Sequence, residues 1–141
     1  MARGMIVKEV TQITVVIPHM PGSLARLTEA LRDADVNIEG TCQQEGSDTS
    51  MPLRLVIDKP KDAKKAIEAL GQTAEFEPCI SVQAGDDKPG FIARVARALG
   101  DAKINIQSIY HASAGRGSAA RMFISVDKNH YGHALKLLSQ L

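Results

Sequence analysis

The chain has 141 residues, and its 17 lysines and arginines against 16 aspartates and glutamates give a net charge of +1. This balance lacks the concentrated basic charge of a nucleic-acid-binding domain. No apolar run approaches the ~20 residues that span a bilayer as a helix. The two cysteines, Cys42 and Cys79, lie far apart, which favours free thiols in a reducing cytoplasm over a disulfide or a metal site. We therefore expect a cytoplasmic protein with no nucleic-acid or membrane partner.

A repeated segment organises the sequence. Pro21–Leu27 (PGSLARL) recurs 68 residues later as Pro89–Val95 (PGFIARV). From Pro21 to Ile38, ten of eighteen positions are identical at this offset. We interpret the chain as two copies of one unit, each built around a Pro-Gly turn that leads into an amphipathic helix.

The first copy predicts the order β-α-β-β-α-β. A β-branched run ends at Pro18, and after the turn Leu24, Leu27 and Leu31 follow the helical spacing i, i+3, i+7. The strand that begins at Ala74 is predicted to end before Pro78. The predicted strands cover residues 12–17, 36–43, 51–57 and 74–77, and the predicted helices cover 23–34 and 60–70. Ile6, Val7 and Val10, in the lead-in segment, would extend the first strand or form a separate edge strand.

The second copy predicts β-α-β-β-α, without a last strand. Its strands cover residues 80–84, 104–112 and 119–126, and its helices cover 91–102 and 129–141. The fold class is α+β: two ferredoxin-like units, 10–78 and 79–141, with antiparallel sheets and helices on one face. In that fold the strand Ile80–Ala84 would have an unpaired edge. We expect the lead-in strand (Met5–Val10), the other copy or a partner chain to cover it.

The duplicated motif Pro-Gly-x-[Leu/Ile]-Ala-Arg-[Leu/Val], with Asn-Ile about 16 residues further on, resembles the ACT domain. The resemblance covers about residues 10–141. It implies a regulatory domain that binds amino acids or similar small molecules at interfaces between domains, often attached to a biosynthetic enzyme. We expect no attached catalytic domain, because two such units fill the 141 residues. The first copy departs from the family by having His19-Met20 where an acidic residue or Asn and then a basic residue are common.

The chemistry of a Pro-Gly turn at a helix start supports the same function. Unpaired N–H groups and the positive end of the helix dipole favour a carboxylate there. Gly22 and Gly90 allow a ligand to approach the backbone, although the same glycines are also needed for the turn itself. Asp87 would accept the ligand's ammonium group, unless it is only a solvated loop residue. Asn105 is predicted at the same end of the fold, with capping of the helix-to-strand connection as the alternative.

The second copy is the better candidate, because His19 in the first copy cannot hold an ammonium group when it is protonated. The predicted ligand-binding residues of the second copy are Asp87, Pro89, Gly90, Phe91, Ile92, Asn105 and Ile106. The corresponding residues of the first copy are His19, Gly22, Ser23, Leu24, Asn37 and Ile38.

Other motifs give weaker signals. Residues 115–120 look like a dinucleotide-binding loop but lie between two strands, which predicts a hairpin tip from which Arg116 would fold over a neighbouring site. His130 and His133 have a metal-binding spacing but no evident third ligand. His111 has no accompanying nucleophile and orienting acid. We expect no metal, no cofactor and no catalysis.

Three functions follow from these observations. The preferred one is a homodimeric regulatory protein with two ACT domains in tandem, whose amino-acid ligand shifts its assembly or the activity of a partner enzyme. The second is a regulatory subunit bound constitutively to a separate biosynthetic enzyme. The third, an enzyme of ferredoxin-like fold, lacks any paired acid and base.

Overall fold

The computed structural model describes residues 5–141, so the first four residues of the lead-in segment lie outside the described part. The described chain forms six strands and four α-helices, with a short 3-10 helix (Lys128–His130) before the last α-helix. In order they are β1 (Ile6–Pro18), α1 (Ser23–Asp33), β2 (Ile38–Gln43), β3 (Ser50–Ile57), α2 (Pro60–Ala69), β4 (Ala74–Ala84), α3 (Phe91–Asp101), β5 (Ile106–Ser113), β6 (Ala120–Val126) and α4 (Tyr131–Ser139).

The chain divides into two compact units. The first unit is Val10–Pro78, and the second combines the described residues up to Glu9 with Cys79–Leu141. The lead-in segment therefore belongs to the unit formed by the other end of the chain. No helix among residues 5–141 is long and apolar enough to cross a membrane.

In the first unit, the strand order is β2-β3-β1-β4, and β3 pairs antiparallel with both β1 and β2. Successive residues of a strand point to opposite faces, so one face of β1 and β3 forms the core together with α1 and α2. The fully buried members of this core include Ile13, Val15, Leu27, Leu31, Leu53, Leu55, Ala63 and Ile67.

The second unit has the same plan, with β6 antiparallel to β4 and β5 and with α3 and α4 against its core. The strand position next to β4 is occupied by the lead-in part of β1, because β1 neighbours β4 and its residues up to Glu9 belong to this unit. Met5 and Val7 pack against the core of this unit. The lead-in segment thus covers the edge of β4, which was one of the three predicted solutions. It is a continuation of the first strand.

The prediction that Pro78 ends a strand is wrong. β4 continues through Pro78 from Ala74 to Ala84, so two predicted strands are one. Pro78 is exposed and lies in the part of β4 that forms the edge of the first unit's sheet. Proline is tolerated on an edge strand because the missing N–H is not needed for pairing there.

Candidate ligand-binding site

The turn between β4 and α3 places the predicted residues Asp87, Pro89 and Gly90 at the start of a helix. Gly90 precedes α3 with a φ of 108°, a left-handed conformation that favours glycine. A Cβ atom at Gly90 would meet no other atom within 4 Å, so the backbone conformation and not space demands glycine. Among the described residues no side chain caps α3. Its first N–H groups are therefore open to a ligand, at the positive end of the helix dipole.

The β5–β6 hairpin loop holds this turn in place through Asp87. The Asp87 N–H donates to the Ser118 carbonyl at 2.7 Å, and the Asp87 carbonyl accepts from the Gly117 N–H at 2.8 Å. The Ser113 hydroxyl donates to the Asp87 carboxylate. Three hydrogen bonds thus fix both the backbone and the side chain of Asp87 against the hairpin loop.

A cavity of about 340 Å³ opens between the turn, the start of α3 and the hairpin. Its apolar surface includes Phe91, which is buried and packs edge-on against the His111 ring with the ring centres 5.8 Å apart, and Ile92, which is 43% exposed. Asp87 supplies its acidic group. The lining residues are Asp87, Lys88, Pro89, Gly90, Phe91, Ile92, Ala93, His111 and Arg116.

These groups suit a small zwitterion. The open N–H groups of α3 are positioned for a carboxylate. The half-buried Asp87 carboxylate keeps lone pairs free after accepting from Ser113, so it can accept from an ammonium group. Phe91 and Ile92 offer apolar contact to a side chain.

A protein-family model matches the part of the chain that contains this turn. Residues 80–141 match the family model of the ACT domain. This ACT segment begins in β4, contains the whole cavity lining and ends with the chain. None of the curated proteins compared with the chain matches it.

Solved structures share the fold over nearly the whole chain. A protein from Bacteroides thetaiotaomicron superposes with a TM-score of 0.82 at 19% identity, covering 95% of this chain and 89% of that one. The ligand-free regulatory subunit of aspartate kinase from Thermus thermophilus gives a TM-score of 0.73 at 18% identity, with 98% and 96% covered. The Thermus flavus regulatory subunit gives 0.70 at 18%, with the same coverage. At these identities the likeness establishes the α+β fold.

Asn105 and Ile106, two of the predicted site residues, do not lie at this cavity of the ACT segment. α3 runs away from Gly90 for 11 residues, ~16 Å at 1.5 Å per residue, before the chain reaches Asn105. Ile106 pairs with Val126, whereas the cavity end of β5 is Ser113, which pairs with Ala120. The expectation that Asn105 shares an end of the fold with the turn is therefore wrong. Within the second unit, the residue that starts β5 is one helix length from the residue that starts α3.

The first unit contains the same turn without the acidic residue. Gly22 precedes α1 with a φ of 89°. The His19 N–H donates to the Thr49 carbonyl at 3.0 Å, and His19 Nδ1 lies 3.1 Å from the Ser47 carbonyl. Ser23 is buried with no described hydrogen-bond partner for its hydroxyl, and Leu24 is 38% exposed. A neutral or cationic imidazole thus lies where the second unit has a carboxylate.

Asn37 and Ile38 line a different cavity of about 480 Å³ in the first unit. It lies at the end of α1, one helix length from Gly22, so these residues also do not join the predicted turn site. Some of its polar groups are already paired: the Asn37 backbone N–H donates to Asp58, and Lys59 Nζ lies 2.7 Å from Asp35 Oδ2. The hydrogen bond from Lys59 lowers the pKa of the exposed Asp35 carboxyl.

Lys88 and His111 line the ACT-segment cavity but were not predicted as site residues, and Arg116 was singled out only as a loop residue reaching a neighbouring site. The pairing of β4, β5 and β6 explains why these three residues lie at the cavity. Ala120 pairs with both Ala84, at the end of β4, and Ser113, at the end of β5. The hairpin tip must therefore lie beside the turn that follows β4. Among residues 5–141 no three His, Cys, Asp or Glu side chains are grouped as a metal site.

Proposed function

We propose that this protein is a non-catalytic regulatory protein that binds an amino acid at the turn between β4 and α3. The observation that carries the proposal is the cavity in the ACT-matched segment, where the uncapped start of α3 lies beside the anchored Asp87 carboxylate. The ligand's carboxylate lies against the N–H groups that follow Gly90, and its ammonium group lies against Asp87. Both halves of a zwitterion thereby gain a partner of opposite charge.

Regulation follows if the protein has two states that differ in affinity for the ligand. A ligand shifts an equilibrium only by the difference between its affinities for the two states. In this protein the ligand would contact both α3 and the β5–β6 hairpin, so a state in which those two elements separate binds it less tightly. The ligand therefore favours the state in which the Asp87 contacts are formed.

The first unit is proposed as a second ACT-type domain, which makes the chain a tandem of domains over about residues 10–78 and 79–141. Its support is the sequence repeat, the shared strand order and a left-handed glycine at the start of α1. Because His19 replaces the carboxylate, the second unit holds the principal site. The first unit is either without a ligand or selective for a different one.

The expected assembly is a homodimer in the cytoplasm, in which edge strands of neighbouring copies pair. A second candidate function is that of a regulatory subunit held on a separate catalytic enzyme. The observation that favours it is the fold shared with the Thermus thermophilus aspartate kinase regulatory subunit, 96% of which this chain covers. Co-purification of a catalytic chain from native cells, with and without added amino acid, distinguishes the two: retention in both conditions supports the constitutive subunit.

A thermal-shift screen against the standard amino acids tests the proposal. A ligand at about a hundred times its dissociation constant stabilises the folded state by ~2.7 kcal/mol, a rise in Tm of a few degrees for a chain of this size. The expected result is a rise for a small set of amino acids. An unchanged Tm with every amino acid contradicts the proposal.

A further inference from the structure

We propose that the ligand carries a second anionic group, which Arg116 binds, so that the site selects amino acids with an acidic side chain. This inference rests on the proposed function and names the class of ligand for the same cavity. Its starting point is a mismatch of charge between the cavity and a simple zwitterion.

The cavity has more cationic than anionic groups. Lys88 and Arg116 are both exposed and line it together with His111, whereas Asp87 is its only acidic lining residue. No carboxylate in the described part of the chain forms an ion pair with Arg116 or Lys88. A zwitterion with a neutral side chain would form no ion pair with either of these side chains, since its own two charges are matched by Asp87 and the start of α3.

The hairpin holds Arg116 at the place where a ligand side chain must extend. Arg116 lies between Gly115 and Gly117, whose φ values of 120° and 82° turn the loop tip, and the Gly117 N–H is bonded to the Asp87 carbonyl. The backbone of Arg116 is therefore held beside the turn, because the next residue is hydrogen-bonded to Asp87. A ligand held at Asp87 and at the start of α3 would have its side chain directed over Phe91 and Ile92, towards the remaining lining residues.

Arginine suits this role because its planar guanidinium donates two parallel hydrogen bonds to one carboxylate or phosphate group. Either group would satisfy the chemistry. Lys88 adds a second positive charge at the rim but cannot make the bidentate contact. Arg116 is thus the specificity-determining residue, and Lys88 contributes general attraction.

Isothermal titration with matched ligand pairs tests the inference. The pairs are L-aspartate and L-asparagine, L-glutamate and L-glutamine, and O-phospho-L-serine and L-serine. The members of the first two pairs differ mainly in the charge of the side chain, and those of the third differ by a phosphate group. We expect the acidic member of at least one pair to bind about tenfold or more tightly, and its identity distinguishes a carboxylate from a phosphate.

In Arg116→Gln this preference falls to near parity while the neutral member keeps its affinity, and Arg116→Lys retains part of the preference. Arg26→Gln, an exposed arginine of the first unit, leaves the preference unchanged.

The possible failures are separable. If neutral amino acids bind as tightly as acidic ones, the inference is overturned and the proposed function stands. If Arg116→Gln weakens both members of a pair equally, Arg116 binds the main-chain carboxylate and the inference is again overturned. If none of the six compounds binds, the inference is overturned, and the proposed function is contradicted only if the thermal-shift screen with all standard amino acids also leaves Tm unchanged.

Discussion

The backbone N–H of Asp87 donates a 2.7 Å hydrogen bond to the carbonyl oxygen of Ser118. This bond joins the turn that starts α3 to the hairpin loop that follows β5. Together with the bond from Gly117 to the Asp87 carbonyl, it holds the acidic residue in place before any ligand arrives. A preorganised carboxylate loses less conformational freedom on binding, so more of its interaction energy appears as affinity.

Asp87→Asn tests the charge of this residue. The amide oxygen still accepts from Ser113, so we expect a change in the free energy of unfolding of less than about 1 kcal/mol. Without the negative charge, the charge-assisted bond to an ammonium group is lost and affinity for the amino acid falls about tenfold or more. Calorimetric titration measures the affinity. Asp86→Asn, an exposed neighbour outside the cavity lining, is the control. Equal effects of the two substitutions would remove Asp87 from the site.

Gly90→Ala tests the left-handed turn. The φ of 108° is strained for any residue with a Cβ atom, so we expect destabilisation by about 1–2 kcal/mol. Gly100→Ala is the matched control, since Gly100 lies inside α3 with open space around a Cβ atom. There alanine favours the helix by up to about 1 kcal/mol. Urea unfolding should therefore show shifts of opposite sign, and shifts of the same sign contradict the assigned geometry.

Val7→Lys tests the lead-in strand as part of the second unit. Val7 is half-buried and packs against the core of that unit. We therefore expect the introduced charge to lower the free energy of unfolding by about 1 kcal/mol. Ile6 is 54% exposed, and Ile6→Lys should change stability by less than about 0.5 kcal/mol. Comparison of the two urea midpoints gives the result. A larger loss for the Ile6 variant would mean that the opposite face of the strand is buried.

Tyr131 links this lead-in strand to α4 and predicts a pH dependence. Its hydroxyl donates to the Glu9 carboxylate at 3.1 Å, and burial followed by this hydrogen bond raises the pKa of Tyr131 above its ordinary value of 10.0. The folded state therefore keeps the proton to higher pH than the unfolded state does. The stabilising contribution is fully present below about pH 10 and is lost as the pH rises towards the raised pKa.

Unfolding of the native chain and of Tyr131→Phe between pH 7 and pH 11 checks this. The native chain should be more stable by about 1 kcal/mol at pH 7, and the difference should shrink above pH 10. A constant difference over that range would show that Tyr131 does not ionise differently in the two states.

Most elements of the fold follow from local signals in the sequence. The repeat of the Pro-Gly motif predicted both turns and both helices that follow them, because a left-handed glycine and an apolar stripe are determined within a few residues. The strand end predicted at Pro78 is wrong because the effect of a proline depends on whether its strand is at an edge. That property is set by residues far away in the chain.

The site was only partly predictable for a similar reason. Asp87 and Gly90 are close in sequence to the start of α3 and were found. His111 and Lys88 were not, and Arg116 reaches the cavity only through the pairing of β4, β5 and β6. Asn105 was placed wrongly because the length of α3 separates it from the turn. Contacts made through strand pairing or across a helix length are not visible in local motifs.

The most direct test of amino-acid binding at the turn is residue-resolved NMR titration of the isotopically labelled protein with the amino acid that raises Tm most. We expect the largest amide shift changes at Gly90, Phe91 and Ile92 and in the hairpin around Arg116, with small changes around Asn37. Absence of any changes, or changes confined to the cavity at Asn37, would contradict it.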